Sequence, residues 1–221
     1  MPEYIVKILM KEFVTYNVNR FIVEKPKNYK FIPGQATRVS INKLGWRDKK
    51  RPFTFTSLND DKVLEFIIKS YPNDNVTDNL KDLKAGDELI LREIFGSIKY
   101  KGHGCFIAGG TGITPFIAIL RQLKEENKLE DNTLLFSNKT SKDIILEKEL
   151  KDMLKHKTIF TLTRENNPNY NYGRINKIFI QKYIKDFNQY FYICGTMQFV
   201  VDMKKTLDDL SVAPEKVVIE I

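Results

Sequence analysis

Residues 105–120 read CFIAGGTGITPFIAIL. An apolar run, Cys105 to Ala108, leads into Gly109, Gly110, Thr111 and Gly112, and then into Ile113-Thr114-Pro115. Apolar residues recur at Ile113, Phe116, Ile117 and Leu120, a helical spacing. The pattern predicts a buried strand, a glycine turn and a helix, with Pro115 at the first helical position, where a missing N–H costs nothing. Glycines let a phosphate come close to the backbone, and a helix start offers unpaired N–H groups and a positive dipole end. The chemistry on offer is the binding of a dinucleotide pyrophosphate. The same residues also suit a tight strand-to-helix turn that binds nothing, and the turn by itself does not choose between the two.

The elements that must position this turn follow from the rest of the chain. Before it, short β-prone stretches occur at 4–9, at 12–24 with a break near Asn17-Val18-Asn19, at 36–41, 51–57, 63–68 and 88–92. A turn at 72–75, one helical turn at 80–83 and a hairpin-like Lys84-Ala85-Gly86-Asp87 separate the later ones. Six short strands at close spacing argue for an antiparallel barrel or sandwich. The character changes near Lys101-Gly102, which predicts two domains, 1–100 and 101–221. Strands at 105–108, 133–136, 158–162, 190–194 and 216–221 then alternate with helices near 115–126, 142–154, 175–184 and 197–209, with a polar loop at 164–173. This is a βαβ series, hence a doubly wound α/β domain with a parallel sheet. Ligands bind such a sheet beyond the carboxyl ends of its strands, where the glycine turn lies.

Composition excludes several classes. With 42% hydrophobic residues the 221-residue chain can build a real core and is not disordered. The formal charge of +8 suits an acidic protein partner or a phosphorylated cofactor, or reflects a lysine-rich surface. No dense basic run with interleaved aromatics points to nucleic acid. Two cysteines, Cys105 and Cys194, are too few for a disulfide framework or a four-thiolate cluster, and His103 and His156 lack metal-ligand spacing. The N-terminal MPEYIVKILM is no signal peptide, and no run approaches the about 20 apolar residues of a membrane span. A soluble, cytoplasmic protein is expected.

Four motifs in order give these domains a specific meaning. Arg51-Pro52-Phe53-Thr54 resembles the Arg-x-aromatic-Ser/Thr flavin motif of the ferredoxin–NADP reductase superfamily. Val76-Thr77-Asp78-Asn79-Leu80, followed by LKAGDEL, resembles its flavin-phosphate segment. Gly109 to Pro115 is similar to its pyridine-nucleotide loop, and Tyr192-Ile193-Cys194-Gly195 to its Cys-Gly turn beside the nicotinamide. Order and spacing agree over nearly the whole chain. The resemblance implies a six-stranded antiparallel flavin-binding β-barrel followed by an NAD(P)-binding doubly wound domain, with FAD, or FMN, at the seam.

It also implies roles. Arg51 would pair with flavin phosphate, as a planar guanidinium suits phosphate oxygens. Phe53 would pack on the isoalloxazine, where the family usually has Tyr, and Pro52 precedes it. Thr54 would donate to flavin N5. Backbone of Ile68 and Lys69 would contact the flavin, Tyr71 would stack on adenine, and Val76 and Thr77 at a helix start would hold the flavin phosphate, Asn75 tolerating a turn conformation there. Gly110, Thr111, Gly112, Thr114 and Pro115 would hold the dinucleotide, with Thr111 bonding its pyrophosphate. Cys194, beside Gly195, would sit close to nicotinamide C4, and Glu220 in VVIEI would lie beside that ring. Each also has a plain structural reading, as surface arginine, strand threonine, helix cap, buried small hydrophobe or solvated end.

Thr163-Arg164 resembles a pair that grips a 2′-phosphate, with Tyr172 and Arg174 downstream and Lys139, after the strand at 133–136, adding positive charge, so the expectation leans to NADPH over NADH. Plant-type members end in an aromatic that covers the flavin, whereas this sequence reads Ile221 at that point. Neither an iron–sulfur nor a haem domain is evident. The expected reaction passes hydride from NAD(P)H to the flavin and electrons to a separate acceptor, an acidic redox protein such as ferredoxin or flavodoxin, or a small molecule. The alternatives are an electron-relay or regulatory subunit without turnover of its own, and a free flavin or ferric reductase.

Overall fold

A computed structural model describes residues 2–72 and 75–219. The chain divides into two compact units after Gly96, a few residues before the change of character at Lys101-Gly102.

The first unit is a six-stranded antiparallel sheet. Its strands are β1 (Tyr4–Thr15), β2 (Val18–Glu24), β3 (Ala36–Ile41), β4 (Arg51–Thr54), β5 (Val63–Lys69) and β6 (Glu88–Phe95), in the order β4-β3-β6-β1-β2-β5. A bridge between Phe55 and Phe66 joins the two ends of that order, so the sheet closes into a barrel. Inward residues fill it, among them Phe21, Val39, Phe55, Leu64, Phe66 and Leu91, all fully buried. Phe31 stacks on Phe55 at 4.2 Å between ring centroids.

Two local readings change. β1 runs unbroken from Tyr4 to Thr15, and a tight turn at Tyr16-Asn17 leads into β2. A register shift between Ile8 and Met10 resets the in–out alternation, which is why one strand reads as two. The helical turn expected at 80–83 is instead the end of helix α1 (Asn75–Leu80) and the bend after it. Val76 and Leu80, one above the other on α1, and Leu83 in the bend after it are buried together in the barrel core.

One buried polar knot holds the barrel's side wall. Arg92 on β6 donates from Nε to Glu3 at 2.8 Å, from Nη1 to Ser40 at 2.7 Å and from Nη2 to the Arg47 carbonyl at 2.8 Å. The Arg92 carbonyl accepts from Tyr29 and Thr37. Burial pushes the Tyr29 phenol up to about 12, so it stays a neutral donor.

The second unit is a parallel sheet in the order β10-β9-β8-β7-β11-β12. Its strands are β7 (Gly104–Gly109), β8 (Thr133–Asn138), β9 (Thr158–Leu162), β10 (Asn171–Tyr172), β11 (Tyr190–Cys194) and β12 (Val217–Ile219). The helices are α2 (Thr114–Glu125), α3 (Glu147–Leu154), α4 (Lys177–Tyr183) and α5 (Met197–Asp208). β7 lies between β8 and β11, so successive crossovers leave it in opposite directions. That reversal is the crevice where doubly wound sheets bind ligands.

The helix expected from 142 starts later, at Glu147. Thr140 and Asp143 form a capping box on a single 3₁₀ turn, and Leu146 then adopts a left-handed φ of 51°, which separates that turn from α3. The two-residue strand β10 was hidden in the polar loop, because two polar residues give no period to read. No helix among the described residues is long and apolar enough to cross a membrane.

Candidate functional site

The glycine turn sits at the carboxyl end of β7, with a 3₁₀ turn over Gly110–Ile113 running directly into α2. The helix starts at Thr114, so Pro115 is its second residue, still in the first turn, where an N–H has no partner to lose. The Thr114 hydroxyl donates to the Thr111 carbonyl at 3.0 Å, which fixes the corner.

The glycines divide by role. A β-carbon on Gly112 would stand 2.6 Å from the Gly195 nitrogen and closer still to the Cys194 carbonyl. A β-carbon on Gly109 would meet the Phe199 ring at 3.1 Å, and one on Gly195 would meet it at 2.6 Å. These three glycines are needed because protein packs against them. Gly110 alone faces open space, with φ +55° and nothing within 4 Å of its missing side chain. Gly112 thus has a packing role of its own: it brings the glycine turn against the Cys-Gly turn. Cys194 is half-buried at the end of β11, paired in the sheet with Ala108. Thr196, just after it, caps α5 by accepting from the Phe199 N–H.

At the neighbouring strand ends, Thr163 donates from its backbone N–H to the Asn138 carbonyl at 2.9 Å, and Arg164 likewise to the Lys139 carbonyl at 2.9 Å. Two exposed cations, Lys139 and Arg164, are thus carried on adjacent chains. Glu165 locks the loop by accepting from Asn167 and from the Ser141 N–H, both at 2.8 Å, and these bonds hold its carboxyl below the usual range. Tyr172 and Arg174 are exposed on either side of Gly173, whose φ is +108°. Sequence reasoning missed Asn138. It is only 4% exposed at the carboxyl end of β8, yet neither its side-chain oxygen nor its nitrogen has a hydrogen-bond partner among the described residues. Its signal was position alone, an amide ending an apolar strand that points at the ligand edge of the sheet.

In the barrel, the expected flavin residues fall on β4, on the end of β5 and the residues just after it, and on α1. β4 and β5 are antiparallel neighbours at the Phe55–Phe66 bridge, but among the described residues no ladder continues from there along Arg51–Thr54 and Ile67–Lys69. β4 pairs outward with β3, and β5 outward with β2, so the edges that face each other across this seam form no strand pairing. Phe53 and Thr54 lie half-buried on one side, with Phe53 packed on the barrel core. Ile68 and Lys69 lie on the other, the Ile68 side chain inside the core, which leaves its backbone for any ligand. Arg51 and Pro52 are exposed at the start of β4.

Tyr71 is 47% exposed, with the Lys69 ammonium 6.0 Å from its ring centroid. Thr77 is the third residue of α1, not its cap; it is buried, and its hydroxyl accepts from the Tyr71 N–H at 3.2 Å. The Val76 side chain belongs to the core. Glu220 lies outside the described residues. No cluster of three metal-ligating side chains occurs among the described residues.

Two family models match the chain. One, an oxidoreductase FAD-binding domain, covers residues 6–100, and the other, an oxidoreductase NAD-binding domain, covers residues 106–205. The chain belongs to the oxidoreductases built from an FAD-binding and an NAD-binding domain. It is 39% identical to an NADH-cytochrome b5 reductase 1 of Mortierella alpina over 132 residues, 56% of this chain and 43% of the relative. It is 29% identical to NADH-cytochrome b5 reductase 1 of Aspergillus terreus over 224 residues, 90% of this chain and 75% of the relative. The fold is that of a ferredoxin NADP+ reductase from Neisseria gonorrhoeae solved with bound FAD and NADP, at a TM-score of 0.88 and 20% identity, covering 100% of this chain and 98% of that one. The chain spans about half the length of most of the curated relatives it matches.

The two matching domains make FAD and a nicotinamide dinucleotide the cofactors to test against the geometry, and the residues fit both. The unladdered β4/β5 seam offers two backbone edges to a flat ring. The Asn138 amide offers a buried donor and acceptor to the polar groups of a nucleotide, and Gly110 leaves room for close approach to the backbone.

Proposed function

We propose that this chain is an NAD(P)H-dependent flavoprotein reductase that delivers electrons to a separate redox protein. The observation that carries the reading is the open β4/β5 seam, flanked by Phe53, Thr54, Ile68 and Lys69 in one barrel wall. Bound FAD would supply a hydride acceptor able to release its electrons singly, chemistry that no side chain here performs.

The chain's own residues bind and orient. Arg51, exposed at the seam's mouth, neutralises a flavin phosphate through a forked contact. Phe53 gives the ring an apolar wall, and the Thr54 hydroxyl donates toward the ring nitrogen that takes up hydride. The backbone of Ile68, Lys69, Val76 and Thr77 supplies N–H and C=O groups along the flavin, and Tyr71 an exposed aromatic face for adenine. In the second unit, Gly110, Thr111 and the first turn of α2 hold a pyrophosphate at a helix start. Cys194 borders the nicotinamide, and Asn138 completes its hydrogen bonding on the bound dinucleotide.

Lys139 and Arg164, set side by side, favour a 2′-phosphate and so NADPH. The names of the sequence relatives favour a haem protein of the cytochrome b5 kind as acceptor over ferredoxin or flavodoxin.

The test is spectroscopic. Purified protein supplied with FAD is expected to be yellow and to bleach on addition of NADPH without oxygen; a chain that binds neither FAD nor FMN overturns the proposal. In the same assay Arg164→Ala is expected to lower the NADPH-over-NADH ratio of kcat/KM by roughly tenfold, the loss of one charge-assisted phosphate contact. An unchanged ratio removes the 2′-phosphate role.

A further inference from the structure

The loop between β3 and β4 is unlike the rest of the surface. Residues 43–51 read KLGWRDKKR, five cations against Asp48, so these nine residues hold half of the chain's net charge of +8. At its tip Leu44 is 100% exposed, followed by Gly45 with φ +79°. Each feature would be unremarkable on a mobile loop. This loop is held.

Three anchors fix it. Trp46 is half-buried and packs on the barrel core. The buried guanidinium of Arg92 donates to the Arg47 carbonyl. Successive turns close it, from the Trp46 N–H to the Lys43 carbonyl and from the Lys49 N–H to the Trp46 carbonyl, at 3.0 and 3.1 Å. Lys43 lies 3.4 Å from Asp87, and the Lys49 ammonium lies 4.0 Å from the centroid of the Trp46 ring. Arg47 and Lys50 are left projecting with Leu44, on exposed positions. The loop ends at Arg51, the first residue of the flavin seam.

An apolar tip ringed by cations on an ordered loop is complementary to an acidic protein surface with a small apolar centre. An exposed leucine costs nothing to order here, because the backbone beneath it is already fixed, and pre-ordering reduces the entropy lost on association. We propose that loop 43–50 is the docking site for the acidic redox protein that takes electrons from the flavin, with Leu44 as apolar contact and Arg47 and Lys50 as the steering charges. The placement is economical: the loop runs straight into Arg51, so a partner seated on it lies beside the barrel seam. This inference rests on the flavoprotein reductase reading and adds where the acceptor binds.

The test compares two acceptors, ferricyanide and the soluble haem domain of cytochrome b5 as an acidic probe. The triple variant Leu44→Asp, Arg47→Glu, Lys50→Glu leaves the Trp46, Lys43 and Lys49 contacts in place. Expected are unchanged ferricyanide turnover and FAD content, a KM for the haem protein raised about tenfold or more, and a weaker dependence of that KM on salt. The conservative pair Arg47→Lys, Lys50→Arg is expected to keep wild-type behaviour. An unchanged KM in the triple variant overturns the docking site and leaves the reductase reading standing. Loss of FAD or of ferricyanide turnover in the variant overturns it in favour of a flavin-holding loop. Loss of binding to phosphatidylserine vesicles, with haem-protein turnover unchanged, overturns it in favour of a lipid surface. A wild-type chain that reduces ferricyanide and not the haem protein overturns the protein-acceptor reading, and the docking site with it.

Discussion

Gly112→Ala is expected to lower the melting temperature by roughly 5–10 °C and to weaken nicotinamide dinucleotide binding more than flavin binding. The argument is steric. The new methyl group would fall 2.6 Å from the Gly195 nitrogen and closer to the Cys194 carbonyl, and both are backbone atoms that no rotamer change can move. Overpacking of this kind costs about 1–3 kcal/mol, and in a chain of this size each kcal/mol shifts the melting temperature by about 2–4 °C. The strain lands on the junction of two turns, so the second unit should bear the loss. Gly110→Ala is the control. It meets no atom within 4 Å and suffers only its left-handed φ, so its stability loss should be smaller. Equal melting temperatures for the Gly112 variant and wild type would show that the turns are not in contact in solution.

The second large effect is expected at Arg51. Arg51→Met keeps much of the side chain's length and removes its charge and its forked donors. A hydrogen bond to a charged group is worth about 1.5–3 kcal/mol, which predicts FAD binding weakened by roughly ten- to a hundredfold. The purified variant should be pale and should regain colour with excess FAD, and its yield and thermal unfolding in saturating FAD should match wild type. Arg51→Lys should recover part of the affinity, since a point charge replaces a planar fork. Full flavin content in the methionine variant would remove Arg51 from the site. A fold defect that excess FAD does not rescue would assign it a structural role instead.

Much of this was legible in the residues, for reasons that differ by element. The parallel sheet was plain, because strands such as Phe106-Ile107 or Leu134-Leu135-Phe136 are buried on both faces and read as apolar runs. The barrel strands were also readable, except where the Ile8/Met10 irregularity broke the alternation of β1. α1 was misplaced because six residues give less than two helical turns of pattern, and Leu83, buried with Val76 and Leu80, lies in the bend after it.

The site was legible by residue type and not by function. A glycine in the sequence does not say whether a ligand or a neighbouring carbonyl demands it. Gly110 and Gly112 are two residues apart, yet a β-carbon on Gly112 would meet backbone and one on Gly110 would meet nothing within 4 Å. Asn138 and Arg92 escaped for a related reason. A buried amide without partners among the described residues and a buried guanidinium with three are both products of tertiary packing, and in the sequence neither stands out from the other polar letters of its strand.

The two thiols have unequal fates. Cys105 is fully buried in β7, and burial pushes its thiol up, so at neutral pH it offers almost no thiolate to a reagent. Cys194 is half-buried at the carboxyl end of β11, beside Ala108 of β7. A thiol-reactive dye is kept from Cys105 for as long as its sheet stays closed. Labelling at Cys105 would therefore report opening of the second unit, without reference to turnover or to any electron acceptor.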